Sequence, residues 1–177
     1  MNRCGAFLAK RDYPAALKDC EDAIRFDPQL SLAYMARGAA YVENRRYEDA
    51  IRDFDHVLSS APNNVLALDA RCEARSLLGQ IDLALIDCNR ALVLSPQDSG
   101  TLDTRGFMYL KAGNYAAGRT DFDAAIARDG KRATSFYGRG LIKKHEGDTA
   151  GAEADRAEAV DLKPDVADDI ALYEFGK

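Results

Sequence analysis

Proline recurs at a spacing of 34 residues along most of this 177-residue chain. The positions are Pro28, Pro62, Pro96 and, after a step filled by Gly130, Pro164. Self-similarity at this spacing predicts a stack of small supersecondary units, because such units cannot bury their apolar faces alone and are stabilised by their neighbours. A chain of this kind is expected to offer a binding surface rather than a reaction centre.

Alignment on these positions divides residues 1–164 into five repeats, the first of them truncated, and leaves a tail over 165–177. The repeats cover 1–30, 31–64, 65–98, 99–132 and 133–164. Apolar residues recur within them at three- and four-residue spacing, which is the helical period. Each repeat is therefore predicted to be a helix pair. The first helices are expected near 1–10, 31–44, 65–78, 99–112 and 133–146, and the second near 14–27, 47–60, 81–94, 115–128 and 149–162.

Residues that cap helices and form turns stand at the expected helix ends. Asp12 and Asp148 precede predicted second helices and can act as N-caps, while Gly79, Gly113 and Gly147 fall between paired helices. No segment shows the two-residue alternation of a strand. The predicted fold class is all-α.

Large, small and proline residues follow one another in a fixed order within the repeats. Repeat two has Tyr34, Gly38, Tyr41, Tyr47, Ala50, Phe54 and Pro62, and repeat four has Leu102, Gly106, Tyr109, Tyr115, Phe122 and Ala125. In this pattern the chain resembles tetratricopeptide repeat proteins over about residues 1–164. The resemblance implies a right-handed superhelical α-solenoid of helix-turn-helix repeats, and we expect the tail to form a C-terminal capping helix. Charged residues at normally apolar positions predict looser packing of repeats three and five, at Arg75, Lys143 and Arg156.

Arginine and aspartate each recur once per repeat, sixteen residues apart. The pairs are Arg3 with Asp19, Arg37 with Asp53, Arg71 with Asp87, Arg105 with Asp121 and Arg139 with Asp155. An arginine ladder alone would suggest phosphate binding. On two antiparallel helices, however, this spacing puts the two residues of a pair at comparable height, so we predict a structural ladder of ion pairs.

The cysteines also form pairs sixteen residues apart, Cys4 with Cys20 and Cys72 with Cys88. At the same two positions, repeats two and four have a glycine and a phenylalanine. We interpret these as different ways of filling similar core volume, with buried free thiols in repeats one and three. A disulfide in each pair is the alternative, and it would require an oxidising compartment.

Nothing in the sequence favours catalysis, a metal or a cofactor. The two histidines, His56 and His145, stand in no motif with a nucleophile or a paired acid, and no cysteine–histidine spacing suits zinc. The glycines follow the repeat and form no phosphate-binding loop. We therefore predict a non-enzymatic protein with no cofactor and no metal ion.

The resemblance places ligands in a concave groove lined by the first helices. The corresponding residues here are Met35, Glu43, Asp69, Glu73, Asp103, Phe107, Tyr137 and Leu141. Glutamate and aspartate make the middle of this groove acidic, with apolar side chains on either side. A scaffold that binds a protein or peptide with basic and apolar residues is the predicted function, although solvated charge on a helix face remains an alternative for these acids.

The net charge of −5 and the acidic groove argue against nucleic acid as a partner. No run of eighteen apolar residues and no signal-peptide pattern occurs, so we expect no membrane insertion and a cytoplasmic protein. Because the chain opens within a predicted helix, we also expect that it is a fragment or has lost a leader. The alternative function is structural: apolar tail residues could join two copies into a homodimer through terminal helices, through Ile170, Leu172, Tyr173 and Phe175.

Overall fold

The structure, a computed structural model, describes residues 12–171. Within this range it contains ten α-helices and no strand, as the helical period predicts. The helices are α1 (Tyr13–Phe26), α2 (Ser31–Glu43), α3 (Tyr47–Ser60), α4 (Val65–Leu77), α5 (Ile81–Leu94), α6 (Ser99–Lys111), α7 (Tyr115–Arg128), α8 (Ala133–His145), α9 (Thr149–Leu162) and α10 (Val166–Ala171). Their bounds in repeats one to five lie within one residue of the prediction, while the helix expected at 1–10 lies outside the described residues.

The predicted helix ends are confirmed by their hydrogen bonds. The Asp12 carboxylate accepts from the Ala15 amide at 3.3 Å, and that of Asp148 accepts from the Gly151 amide at 2.9 Å. These bonds satisfy amides that the first helical turn leaves without a partner. The turn between paired helices needs a residue with positive φ; Gly79 supplies it in repeat three, with φ of 78°, and Arg45 in repeat two, with φ of 57°.

The first helices form one layer and the second helices another. From α1 to α9, successive helices pack against each other, and the first helices α2, α4, α6 and α8 also contact one another across repeats, while α10 packs on α8. In the part of the chain that the structure describes, the second helices make no comparable contacts with each other. The first helices therefore stand on the inner, more crowded side of the array, which is its concave side.

Small residues allow the two layers to meet closely around aromatic rings. The Phe122 ring of α7 lies between Gly106 of α6 and Gly138 of α8, so close that a Cβ atom added at either glycine would come within 2.7 Å and 2.4 Å of it. Phe107 packs edge-on against the same ring, with the ring centroids 4.9 Å apart. All three helices are thereby joined to one core.

The first part of the tail, helix α10, packs back on the last repeat of the array. Val166 and Ile170 of α10 are buried against the core that α8 shares with its neighbours. This packing agrees with a capping helix and leaves these two side chains unavailable to a second copy of the chain. The other apolar tail residues, Leu172, Tyr173 and Phe175, lie outside the described residues.

The expectation of free thiols is wrong for repeat three, where Cys72 of α4 and Cys88 of α5 form a disulfide. Both residues are fully buried, as the interpretation of core filling required, but their Cα atoms are only 5.5 Å apart, within bonding reach. Cys20 in α1 is also disulfide-bonded. Cys4, with which the sequence pairs it, lies outside the described residues.

The predicted ladder of ion pairs is confirmed in four repeats. Each pair is bidentate, with guanidinium-to-carboxylate distances between 2.6 and 2.9 Å, and joins the two helices of one repeat: Arg37–Asp53, Arg71–Asp87, Arg105–Asp121 and Arg139–Asp155. Arg3, the partner expected for Asp19, lies outside the described residues. The aspartates are nearly buried, so these pairs satisfy charges that could not stand alone in the core.

Three of these arginines also reach back to the preceding repeat. Arg71 also donates to Asp55 at 2.6 Å and Arg139 to Asp123 at 2.7 Å, while Arg105 donates to the neutral Asn89 at 2.9 Å. Each of these arginines thus connects a first helix with the second helices of two repeats. The ladder fixes the stacking of repeats as well as the pairing of helices.

Two of the charged residues expected to loosen repeats three and five are accommodated by this ladder. Arg75 donates to Asp87 at 2.5 Å, and the Lys143 ammonium lies 2.9 Å from Asp155. Arg156 instead is exposed at the position that Phe122 fills in repeat four. Beside it α8 and α9 together line an open cavity of about 280 Å³.

Candidate functional site

Three predicted acidic residues gather on the inner layer of first helices. Asp69 and Glu73 of α4 and Asp103 of α6 line one cavity of about 310 Å³, which we call the acidic pocket. Asp169 of α10 adds a fourth carboxylate and Arg132 one cation. The remaining lining residues are Leu77, Gly100, Thr104 and Thr134.

Two of these carboxylates link successive first helices. Asp69 accepts from the Thr101 hydroxyl at 2.6 Å, and Asp103 accepts from the hydroxyls of Ser135 and, at 2.8 Å, Thr134. In each case the donor stands at the start of the first helix of the next repeat. Asp103 is only 5% exposed, so it can contribute negative charge to a ligand but little contact area.

Burial raises the pKa of all three acids. For Asp69 this rise is opposed first by the Thr101 hydrogen bond. Burial raises the pKa of Asp103 to about 6, against the opposing effect of its two hydroxyl donors and then of Arg132. Loss of hydration disfavours a charged carboxylate, whereas a donor stabilises it.

Glu73 is the acid most suited to meet a ligand. It is exposed to solvent, and its carboxylate makes no hydrogen bond or ion pair with any residue between 12 and 171. Although water reaches it, Glu73 stands in the concavity with protein on several sides. This crowding, followed by the charges of Asp69, Glu43 and Asp103, raises its pKa to about 7.

The other predicted groove residues are dispersed. Glu43 is exposed and accepts from the Tyr13 hydroxyl at 3.2 Å, and Met35 is half-buried between two core clusters. Phe107 is fully buried, which corrects the expectation that it offers contact area to a ligand. It is turned into the core because the small residues around Phe122 leave room for a second ring there.

Tyr137 and Leu141 lie in a different place from the acids. Both are half-buried and line the cavity between α8 and α9, which we call the end pocket. Its other lining residues are Gly140, Lys144, Thr149, Ala152, Glu153 and Arg156. The predicted groove is thus divided into an acidic pocket and a separate pocket that is apolar at its centre and of mixed charge at its edge.

Arg132 and Asp169 were missed as members of the acidic pocket. Asp169 enters it because α10 folds back, and the expected capping helix did not specify which of its side chains would meet the first helices. The hydroxyl donors left a usable signal, however, since Thr101 follows Asp69 by 32 residues and Ser135 follows Asp103 by the same interval. A recurring aspartate and hydroxyl at that separation indicates a bond between successive repeats.

Neither histidine stands with the acids. His56 stacks on Tyr34 at 3.8 Å between ring centroids, and His145 packs against Tyr115 at 3.9 Å. Within residues 12–171, no group of histidine, cysteine and acidic residues is placed to hold a metal ion. Across the same residues, no helix has the length and apolar character needed to span a membrane.

Stacked helix pairs whose first helices line a concave face define an α-solenoid of the kind that serves as a protein–protein interaction scaffold. Two family models, both described as tetratricopeptide repeat, match residues 31–64 and 108–167, which together are just over half of the chain. The chain belongs to the tetratricopeptide repeat family. This family is generally non-enzymatic.

Solved structures show the same fold at low sequence identity. MamA residues 41 to the end, from Desulfovibrio magneticus RS-1, superpose with a TM-score of 0.80 and 19% identity, covering 92% of each chain. A thermophilic tetratricopeptide repeat protein from Thermus thermophilus superposes with a TM-score of 0.77 and 19% sequence identity. The match covers 96% of this chain and 93% of that protein. YrrB, described as a tetratricopeptide repeat protein with an unusual peptide-binding site, has a TM-score of 0.71 and 22% sequence identity. The match covers 94% of this chain and 87% of YrrB. No curated protein matches the sequence.

Proposed function

We propose that this scaffold binds an extended peptide segment on its concave face, with a lysine or arginine side chain of the ligand seated in the acidic pocket. The observation that carries the proposal is Glu73, an exposed carboxylate without a protein partner among the described residues, placed between two further acids. A cation entering the pocket would replace the missing partner and offset both the loss of hydration that chiefly raises the pKa of Glu73 and the repulsion by neighbouring carboxylates that adds to it.

The three acids of the pocket have different roles because they differ in burial and in hydrogen bonding. Asp69 and Asp103 already accept hydroxyl hydrogen bonds, so they hold the first helices in register and supply a fixed negative potential. Glu73 is free to reorient toward the ligand. Opposite charge favours encounter and orientation, while affinity also needs apolar contact, which a peptide could find at Leu77 in the same pocket. A peptide-binding site described for YrrB supports this use of the fold.

Reversal of one charge tests the site. With a library of ten-residue peptides displayed against the full chain, we expect selection of basic peptides, and Glu73→Lys should weaken the selected peptides at least tenfold, about 1.4 kcal/mol. Glu158→Lys is the matched control, because Glu158 is an exposed glutamate on the second helix α9 and carries the same change in charge. Isothermal titration of both variants makes the comparison. Equal weakening by the two variants, or selection of peptides without basic residues, would contradict the proposal.

Acidification is expected to weaken binding. As pH falls from 8 to 5.5, Glu73, with a pKa of about 7, takes up a proton and Asp103, with a pKa of about 6, begins to do so, while a lysine or arginine ligand stays charged. We expect affinity for a selected peptide to fall about fivefold to tenfold at constant ionic strength, and Glu73→Gln to show a flatter profile.

The stability of the free protein should move in the opposite direction over the same interval. A carboxyl whose pKa is higher in the folded state than in the unfolded state favours the folded state once protonated, so Glu73 and Asp103 stabilise the fold as pH falls through 7 and 6. Asp155, whose pKa its partners lower, stays ionised there and loses its contribution only at more acidic pH. Weaker binding without any rise in thermal stability would show that the pocket acids do not titrate as described.

A further inference from the structure

Repeat three is joined by a covalent bond at a place where other repeats use an aromatic ring. Cys72 and Cys88 occupy the positions that Gly38 and Phe54 occupy in repeat two. There the ring covers the glycine so closely that an added Cβ would lie 2.5 Å from it. The disulfide therefore takes the place of the contact that holds the two helices of repeat two together.

Repeat one also has a disulfide-bonded cysteine at one of these two positions. Cys20 stands in α1 at the repeat position of Cys88, two periods earlier, and it is also disulfide-bonded. Recurrence at one repeat position distinguishes this arrangement from a chance meeting of two thiols. A disulfide thus replaces aromatic packing in repeat three, and the same repeat position is disulfide-bonded in repeat one, while repeats two and four keep the glycine–phenylalanine pair.

The burial of the bond shows that it is a structural element and not a switch. Cys72 and Cys88 are both fully buried, in a core that also contains Ala84, Phe107 and Met108. Thiol–disulfide exchange requires a thiolate to reach one of the sulfur atoms. Reduction of the folded protein would therefore have to wait for α4 and α5 to separate.

We propose that this chain matures and works in an oxidising compartment, where the Cys72–Cys88 disulfide forms during folding as the element that closes repeat three. The two thiols lose two electrons and two protons to the disulfide of a thiol–disulfide exchange protein, which is released as a dithiol. Persistent structural disulfides are typical of such compartments and rare in reducing ones. This inference replaces the cytoplasmic location expected from the sequence and does not depend on the ligand of the acidic pocket.

The state of the thiols in the cell tests the location directly. Cells of the source organism are quenched in acid to stop thiol exchange, the protein is denatured without reductant in the presence of a maleimide, and labelled cysteines are identified by mass spectrometry. We expect Cys72 and Cys88 to carry no label before reduction and full label after it. Label on both residues before reduction would overturn the proposal.

Replacement of the disulfide by the glycine–phenylalanine contact of repeat two tests the structural role of the bond. The variant Cys72→Gly, Cys88→Phe, Thr104→Ala reproduces the combination of Gly38, Phe54 and Ala70 from repeat two, where Ala70 packs against the ring. A dithiol reductant should lower the Tm of the unmodified chain by about 5 to 10 °C. In the variant the fall should be about half as large, because Cys20 is still reducible.

Two controls keep this second test decisive. Cys72→Ala, Cys88→Ala removes the bond without supplying a ring, and its Tm under oxidising conditions should lie about midway between those of the oxidised and the reduced unmodified chain, because the disulfide of Cys20 is still intact. An unmodified chain whose Tm is unchanged by complete reduction, verified by thiol counting in denaturant, would refute the closing role of the disulfide. The labelling in cells remains informative even if the triple variant does not fold.

Discussion

Replacement of Asp87 by alanine is expected to lower the free energy of unfolding by about 4 kcal/mol. Asp87 is 1% exposed and accepts from Arg71 at 2.6 and 2.8 Å and from Arg75 at 2.5 Å. Its removal leaves two half-buried guanidinium groups without their main partner. A buried charge left alone costs far more than the net gain of an intact pair, because its lost hydration is no longer offset. Urea denaturation followed by circular dichroism measures the change.

Asp55→Ala provides the matched control. Asp55 accepts from the same Arg71 at 2.6 Å, but its side chain is 49% exposed. Water can replace such a partner, so we expect a loss of less than about 1 kcal/mol. Similar losses in the two variants would show that burial does not set the strength of the ladder.

This contrast also shows which part of the ladder is predictable from the sequence. Arg71 and Asp87 belong to one repeat, and their fixed separation on two antiparallel helices is enough to place them together. The contact from Arg71 to Asp55 crosses between repeats. Its existence depends on how far one repeat is rotated against the next, which periodicity does not specify.

The candidate site was less predictable than the helices for a similar reason. Position within the repeat put Asp69 and Glu73 on the first helix of repeat three, but it could not say that Asp69 is engaged by Thr101 while Glu73 has no such donor among residues 12–171. Phe107 was assigned to the groove by position and is in the core, because its direction is set by the space beside Phe122. Side-chain direction depends on the volumes of neighbours in three helices.

The oxidation state of the cysteines could not be predicted from the sequence for a different reason. The sixteen-residue spacing of Cys72 and Cys88 correctly brought them together on facing helices. Spacing alone is compatible with two thiols or with one disulfide, because both fit the same small volume. Whether the two thiols or the disulfide is present depends on how closely α4 and α5 approach and on the redox conditions of the compartment. No local sequence pattern specifies either of these.

Replacement of Phe122 by alanine is expected to destabilise the chain by about 4 kcal/mol, as large-to-small changes of buried aromatic residues do. Phe122 is fully buried and contacts α6 and α8 as well as its own helix, so its loss leaves a cavity at the junction of repeats four and five. The glycines on both sides cannot fill that cavity. Urea denaturation should show the loss, and circular dichroism should show that the helices persist at low denaturant.

The effect of Gly138→Ala on the free energy of unfolding should change sign between the unmodified chain and the Phe122→Ala variant. In the unmodified chain its Cβ would meet the Phe122 ring at 2.4 Å, and the ring cannot move away because Gly106 lies against its other side. Gly138→Ala should therefore cost about 1 to 3 kcal/mol. With Phe122→Ala already present, the same change meets empty space and gains the higher helix propensity of alanine, up to about 1 kcal/mol. A cost in both backgrounds would mean that the ring is not what requires glycine in α8.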